Sequence, residues 1–408
     1  MISIIGGVYR ERCMWPTHET YAGSAGRAAM TICHLGEEVS LHSYASPKAQ
    51  RALMQVCHEK GLKWQGIEVS EDVAFEYDHS LSKPEIYPPL EKMFQRETLS
   101  LRAENVLAFG MLECDIKVEA DWVVYDPQNL SNPKPFSETG SKANKLAYVL
   151  NRHEVLAFTE SSSPSTVEGW VELARKIIQK ENAAVVVIKL GQSGALVVEP
   201  NDFEQVPAFK TESVYLIGSG DVFAAAFAKS LFDGLSPVEA ATKASQTTAY
   251  YCQEVSYPSK DQREQFVSPL TQHRLSDALE GRVYIAGPFF NIAQLWLIEQ
   301  AKRFFDSSGL DSFSPYHELG HGPASVVAEK DLDGLKSCNI VFACIDGCDS
   351  GTLFELGYAT SLGLPIVAYG ETVTEEQLKM LEGTGAYIYE DFATALYNVT
   401  WQLKDHKS

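Results

Sequence analysis

Short apolar runs alternate with amphipathic stretches along most of the chain. Runs at 2–8, 39–44, 106–110, 122–126, 155–159, 185–190 and 195–199 have the length and β-branched content of buried strands. Helical spacing predicts helices at 24–35, stopping at Gly36, and at 47–60, 138–150, 165–181, 218–232 and 236–253. Strands that alternate with helices predict a mostly parallel sheet covered on both faces. The polar stretch 66–104, with Pro84, Pro88 and Pro89, predicts the strands or loops of a lid. The stretch 256–281 is polar and poorly patterned, and a new buried strand begins at Val283. The boundary is therefore expected near 270–281. This gives an α/β chain of two domains, a three-layer domain over 1–270 and a smaller parallel-sheet domain over 282–408, joined by a linker at 271–281. No internal repeat or low-complexity tract interrupts either.

The 408 residues suffice for two cores. A net charge of −20 argues against nucleic acid and anionic membranes as partners, while leaving room for small anions in local loops. There is no long apolar span and no leader pattern, so a cytoplasmic location is expected. The eight cysteines are scattered. Cys344 and Cys348 lack a second pair, and His317 and His321 stand among glycines, so free thiols and no metal site are expected.

Residues 349–359 read Asp-Ser-Gly-Thr-Leu-Phe-Glu-Leu-Gly-Tyr-Ala, after the apolar run 340–345 and before another at 365–369. In a strand–turn–helix–strand order, Glu355 is expected in the first helical turn, at the crevice where open α/β sheets bind ligands. The helix N-terminus would keep it ionised, as a nucleophile requires. A capping role is the alternative. The segment 283–369 resembles the nucleoside 2-deoxyribosyltransferases through Tyr284-Ile-Ala-Gly287-Pro288-Phe289, Asp331-Leu-Asp-Gly334-Leu-Lys, and Asp349 to Ala359. The resemblance implies that Glu355 attacks the anomeric carbon, that Asp331 helps protonate the leaving base, and that Asp349 lies near the sugar 5′ end. It implies a pocket shaped by Tyr284, Gly287, Pro288, Phe289 and Gly351, and a homo-oligomer. A carboxylate at 349 would repel a 5′-phosphate, so a nucleoside with a free 5′-hydroxyl is expected.

In the first domain, Gly218-Ser219-Gly220-Asp221 precedes an apolar helix. Glycines at a helix N-terminus let amides approach an anion, and the aspartate could act as a base or merely cap the helix. Residues 1–255 resemble the PfkB carbohydrate and nucleoside kinases through the 21–36 segment, Asp126-Pro127-Gln-Asn129, the 187–195 segment and Gly218 to Asp221. The resemblance implies a ribokinase fold, ATP with Mg²⁺ as cofactors, Asp221 as catalytic base, Lys189, Gly191, Gly194, Gly218, Ser219 and Gly220 on the nucleotide side, and Glu11, Gly23 and Arg27 on the substrate side. Arg27 replaces the family's sugar-binding asparagine. The family's magnesium-organising Asn-x-x-Glu aligns with Thr159 and Ser162. Asn151-Arg-His-Glu154 spells the same pattern, but ahead of the predicted 155–159 strand, and reads there as coincidence.

Three functions follow. The first is a salvage enzyme that transfers a (deoxy)ribosyl group between bases or to water and phosphorylates a nucleoside or sugar. The second is a glycosidase with an inactive, nucleotide-sensing kinase-like domain. The third is an effector that depletes a nucleotide in stress or phage defence. The substrates throughout are small nucleosides, bases or sugars.

Overall fold

A computed structural model of the chain describes residues 1–57, 61–93, 95–128, 133–273, 281–320 and 324–405. Asn129, His321, Gly322 and linker positions 274–280 lie outside them. The chain divides into one unit of Met1–Thr211 with Tyr215–Leu275 and a second of Glu212–Val214 with Ser276–Ser408.

The first unit is built on a nine-stranded sheet in the order Phe203–Val206, Ala195–Val198, Val185–Lys189, Lys142–Asn151, Ile116–Asp126, Leu99–Phe109, Ile2–Ile5, Val39–His42, Leu62–Trp64. Its pairs are parallel except at the Ala195–Val198 and Phe203–Val206 edge. The central strands read as unbroken apolar runs because both faces are covered. Alternate residues such as Val185 and Val187 join a core with the helices Gly23–His34, Ser219–Phe232 and Pro237–Glu254. Their neighbours Val186 and Ile188 are equally buried toward the opposite face. Helix Val167–Glu181 packs against those same strands. A separate small sheet runs in the order His18–Tyr21, Arg10–Trp15, Ala74–His79, Glu85–Tyr87; two of its strands come from the expected lid stretch, whose end from Leu99 joins the large sheet instead.

One stretch contradicts the pattern reading. The expected helix at 138–150 is largely the strand Lys142–Asn151, and the expected strand at 155–159 lies in the helix Arg152–Thr159. The reason is local. Asn151 and Glu154 form a capping box, with the Asn151 side chain accepting from Glu154 N at 2.9 Å and the Glu154 carboxylate accepting from Asn151 N at 2.7 Å. That reciprocal pair starts a helix immediately after the buried run Leu146–Leu150.

The second unit is a five-stranded, all-parallel sheet in the order Asp311–Phe313, Arg282–Ala286, Ile340–Cys344, Ile366–Tyr369, Tyr387–Tyr389. One face carries Tyr284, Ala286, Val341 and Ala343 under Leu335 and Leu356 of the helices Ala324–Lys336 and Ser350–Ser361. The other face carries Phe342, which meets Phe305 and Phe392 from the helices Ile292–Ser308 and Phe392–Asp405. All eight cysteines are free thiols. Among the described residues no helix is long and apolar enough to cross a membrane, and no group of His, Cys, Asp or Glu is arranged to hold a metal ion.

Candidate active site

In the second unit the first-face packing brings three polar groups together. Tyr284 ends its side chain in the core, wholly buried, and its hydroxyl donates to Asp331 Oδ1 at 2.6 Å. Asp331 comes from helix Ala324–Lys336 and Glu355 from helix Ser350–Ser361, which pack on each other. The Glu355 carboxyl lies near enough to both Asp331 and Tyr284 for each to act on its ionisation. Burial, then the contact with Asp331, pushes the Glu355 carboxyl well above the ordinary carboxylate range. Burial, then the charges of Glu355 and Asp331, likewise raises the Tyr284 phenol, so it remains a donor.

Two expectations change here. Glu355 stands in the second turn of its helix, not the first, and its neighbours oppose ionisation. The helix is capped by Asp349, whose Oδ2 accepts from Thr352 N at 2.8 Å and from the Thr352 hydroxyl at 3.0 Å. The carboxylate of Asp349 still adds to the negative field at Glu355. Burial and the nearby Asp331 therefore favour a proton on Glu355.

The other predicted residues of this unit are held by their own local packing. Gly287 follows the strand Arg282–Ala286 at φ +155, where a Cβ would sit 3.0 Å from Ile298 Cδ1 and 3.1 Å from Cys344 Cβ. Pro288 is buried beside it. Phe289 is half-buried against Tyr316, with ring centroids 5.6 Å apart. Gly351 sits in the first turn, where a Cβ would lie 3.1 Å from Asp349 Oδ2.

The first unit holds a cleft of about 650 Å³ that contains Glu11, Gly23, Arg27, Lys189, Gly191, Gly218, Gly220 and Asp221. Arg27 is 2% exposed and lies between two carboxylates. Its guanidinium pairs with Glu11 through both terminal nitrogens, donates to Asp221 Oδ2 at 2.8 Å, and donates from Nε to the Tyr251 hydroxyl at 3.2 Å. Gln128 donates to the other Asp221 oxygen. Lys189 donates to the wholly buried Asp126 at 2.6 Å. Ser219 lies in the helix's first turn, and its N–H is turned back to Leu216 O at 3.0 Å. Gly194 is committed elsewhere: at φ +84 its Cα faces Val206 and Ala208 backbone, which a Cβ would strike at 2.1 and 2.6 Å.

Asp126, Gln128, Tyr251, Asn151 and Glu154 were not in the predicted set. Asn151 and Glu154 line the cleft, Asn151 closing the strand Lys142–Asn151, so the pattern read as lying ahead of a strand follows one. Burial, followed by the Asp126 charge, pushes Glu154 upward. Burial also raises Asp126, against the pull of Lys189.

Residues 116–259 match the family model described as pfkB family carbohydrate kinase, and residues 283–396 match that described as Nucleoside 2-deoxyribosyltransferase. The N-terminal unit thus resembles the first family and the C-terminal unit the second, and both are enzyme families. No curated protein matches the chain. Solved structures similar to it include a ribokinase from Thermotoga maritima at 17% identity, covering 65% of this chain and 98% of that one with a TM-score of 0.47. A pyrophosphate-dependent kinase in the ribokinase family, complexed with a pyrophosphate analog and myo-inositol, matches at 16% identity over 65% and 99%, TM-score 0.46. A fructokinase from Vibrio cholerae O395, with fructose, ADP and calcium bound, matches at 13% identity over 66% and 99%, TM-score 0.48.

Two stability predictions follow from the geometry. Arg27→Met leaves Glu11 and Asp221 buried without their cation and should cost about 3–5 kcal/mol, measured by urea unfolding. The folded chain holds a proton at Glu355 that the unfolded chain releases in the ordinary glutamate range. Wild-type stability at this site is therefore full at acid pH and is lost as pH rises toward the raised folded value. Glu355→Gln has no proton to lose, so its gain in melting temperature over wild type should widen between about pH 5 and about pH 8.

Proposed function

We propose that the C-terminal unit cleaves the N-glycosidic bond of a nucleoside with a free 5′-hydroxyl and passes the sugar to a second base or to water. The observation that carries this reading is that Glu355 stands beside Asp331 and Tyr284, which are themselves joined by a 2.6 Å hydrogen bond. Base departure builds oxocarbenium character at the anomeric carbon. The reaction requires Glu355 to give up the proton that burial favours on it, and Asp331 to be the group that hands a proton to the base. The bond from the anomeric carbon to the base nitrogen breaks, the Asp331 proton goes to the departing base, and a Glu355 oxygen bonds to the anomeric carbon. An incoming base or water then displaces Glu355 and returns a proton to the pair. One proton therefore serves both steps, leaving Glu355 before attack and returning when the sugar is displaced.

Asp349 supports the choice of an unphosphorylated sugar, since its carboxylate would stand against a phosphate dianion. Such chemistry fits nucleoside salvage in the cytoplasm. Phe290 is 73% and Ile292 87% exposed just beyond Phe289. Apolar side chains so exposed beside the site support a homo-oligomer in which a second copy covers them.

Incubation with a panel of deoxynucleosides plus a free base, followed by chromatography, should show base exchange or base release. Glu355→Ala should lower it by at least about a thousandfold, because the covalent route loses its nucleophile. Half of wild-type turnover in Glu355→Ala would refute the assignment. Asp331→Asn should slow nucleosides with poorly leaving bases the most, whereas equal losses across all bases would remove its role as acid.

A further inference from the structure

The four-stranded sheet of the first unit forms one wall of the N-terminal cleft. Its strands turn Glu11, Phe75 and Tyr77 into the lining. Arg10, Glu19 and Glu76 alternate with these on the reverse side and pair with one another there. Among the described residues no strand ladder joins this sheet to the nine-stranded one. Side chains hold it to the rest of the unit. Glu11 accepts from both terminal nitrogens of Arg27, in helix Gly23–His34. His18, on the edge strand His18–Tyr21, sets its ring edge-on against Tyr215, with centroids 5.7 Å apart and an interplanar angle of 73°. Cys13 stands opposite His18 in the ladder, and its buried thiol packs with Tyr215, Ile217, Val222 and Tyr251. Tyr215 is fixed in turn, since its N–H donates to Cys252 O at 2.8 Å and its ring meets Tyr251.

We propose that this sheet is a pH-released cover of the N-terminal cleft, shut while His18 lies neutral on Tyr215 and loosened when His18 takes a proton beside Arg27. The seam is a poor place for that proton. His18 is half-buried, and burial, then the Arg27 guanidinium, hold its imidazole below the ordinary histidine value, against the pull of Glu11. Arg27 cannot swing away, because Glu11, Asp221 and Tyr251 pin it. The charge of Glu11 is already answered by Arg27. The phenols of Tyr77, Tyr215 and Tyr251 are pushed up by burial and stay neutral, so they offer a charged His18 no anion. Protonation thus replaces an edge-on contact of neutral rings with two cations in a poorly solvated seam. The sign follows from linkage. The shut form binds the proton less readily than the loosened one, so closure is full above about pH 6.5 and is lost as pH falls below it. Nothing in this device depends on the glycosyl chemistry of the C-terminal unit.

Cys13 is the reporter, since loosening the seam uncovers its thiol. The full chain is treated briefly with a dipyridyl disulfide, which reacts with thiols at acid as well as neutral pH. Labelling of each cysteine is read by peptide mass mapping from about pH 8 to about pH 5.5, against a standard peptide with a free thiol. In the wild type, Cys13 labelling relative to the standard should rise at least about threefold on the acid side, with a midpoint below about pH 6.5. Cys33 and Cys57, wholly buried elsewhere in the same unit, should stay unlabelled. His18→Phe keeps a ring against Tyr215 but takes no proton, so Cys13 should stay protected at every pH. His18→Arg carries its charge throughout, so Cys13 should already react at about pH 8. Wild-type labelling that does not change with pH overturns the proposal. So does a pH dependence that survives in His18→Phe, or protection in His18→Arg equal to that of the wild type. Cys33 and Cys57 labelled in step with Cys13 would mark general unfolding and overturn it as well. Should His18→Arg fail to fold, the wild type and His18→Phe decide between them.

Discussion

Two carboxyl groups held close together inside a protein are costly to ionise together, and that cost organises the C-terminal unit. Tyr284 is fixed by a buried parallel strand, and it fixes Asp331 through a 2.6 Å hydrogen bond. Helix Ser350–Ser361 then sets Glu355 against that pair, while its own N-terminus is satisfied by Asp349. Each piece belongs to ordinary packing of helices on one sheet face. Only their convergence is unfavourable for stability, and under the proposed reaction it is what would bring proton transfer and nucleophilic attack to one point.

The N-terminal unit meets the same problem with the opposite solution. Its buried carboxylates are compensated by Arg27 and Lys189, with charge-assisted hydrogen bonds in place of a retained proton. Compensation of this kind holds both partners in one geometry. The glycines of this cleft are shaped for that arrangement: at Gly218, φ +81, a Cβ would lie 2.0 Å from Arg27 Nε, so the guanidinium fills the space over the helix start.

Much of this was legible in the chain. The buried runs around Val187, Val341 and Val367 read correctly because a strand covered on both faces is apolar without alternation. Three separated motifs carry Tyr284, Asp331 and Glu355, which packing on one sheet face brings near one another. The stretch from 142 to 159 misled because its apolar residues do not fix the period, and the decisive signal was the Asn151–Glu154 capping box. Misplacing that boundary also hid Glu154 from the cleft. The ionisation of Glu355 could not be read from helix position alone, since Asp331 is distant in sequence and adjacent in space. Arg27 was legible as a departure, but its partners Asp221 and Tyr251 lie 194 and 224 positions away.

The most direct measurement is peptide mass mapping after reaction with a nucleoside carrying a fluorine at the sugar 2′ position, which slows release of a covalent glycosyl intermediate. The predicted result is a sugar adduct on the peptide containing Glu355, absent in Glu355→Gln. Base release that proceeds with no adduct there, or with the adduct on another residue, would contradict the account.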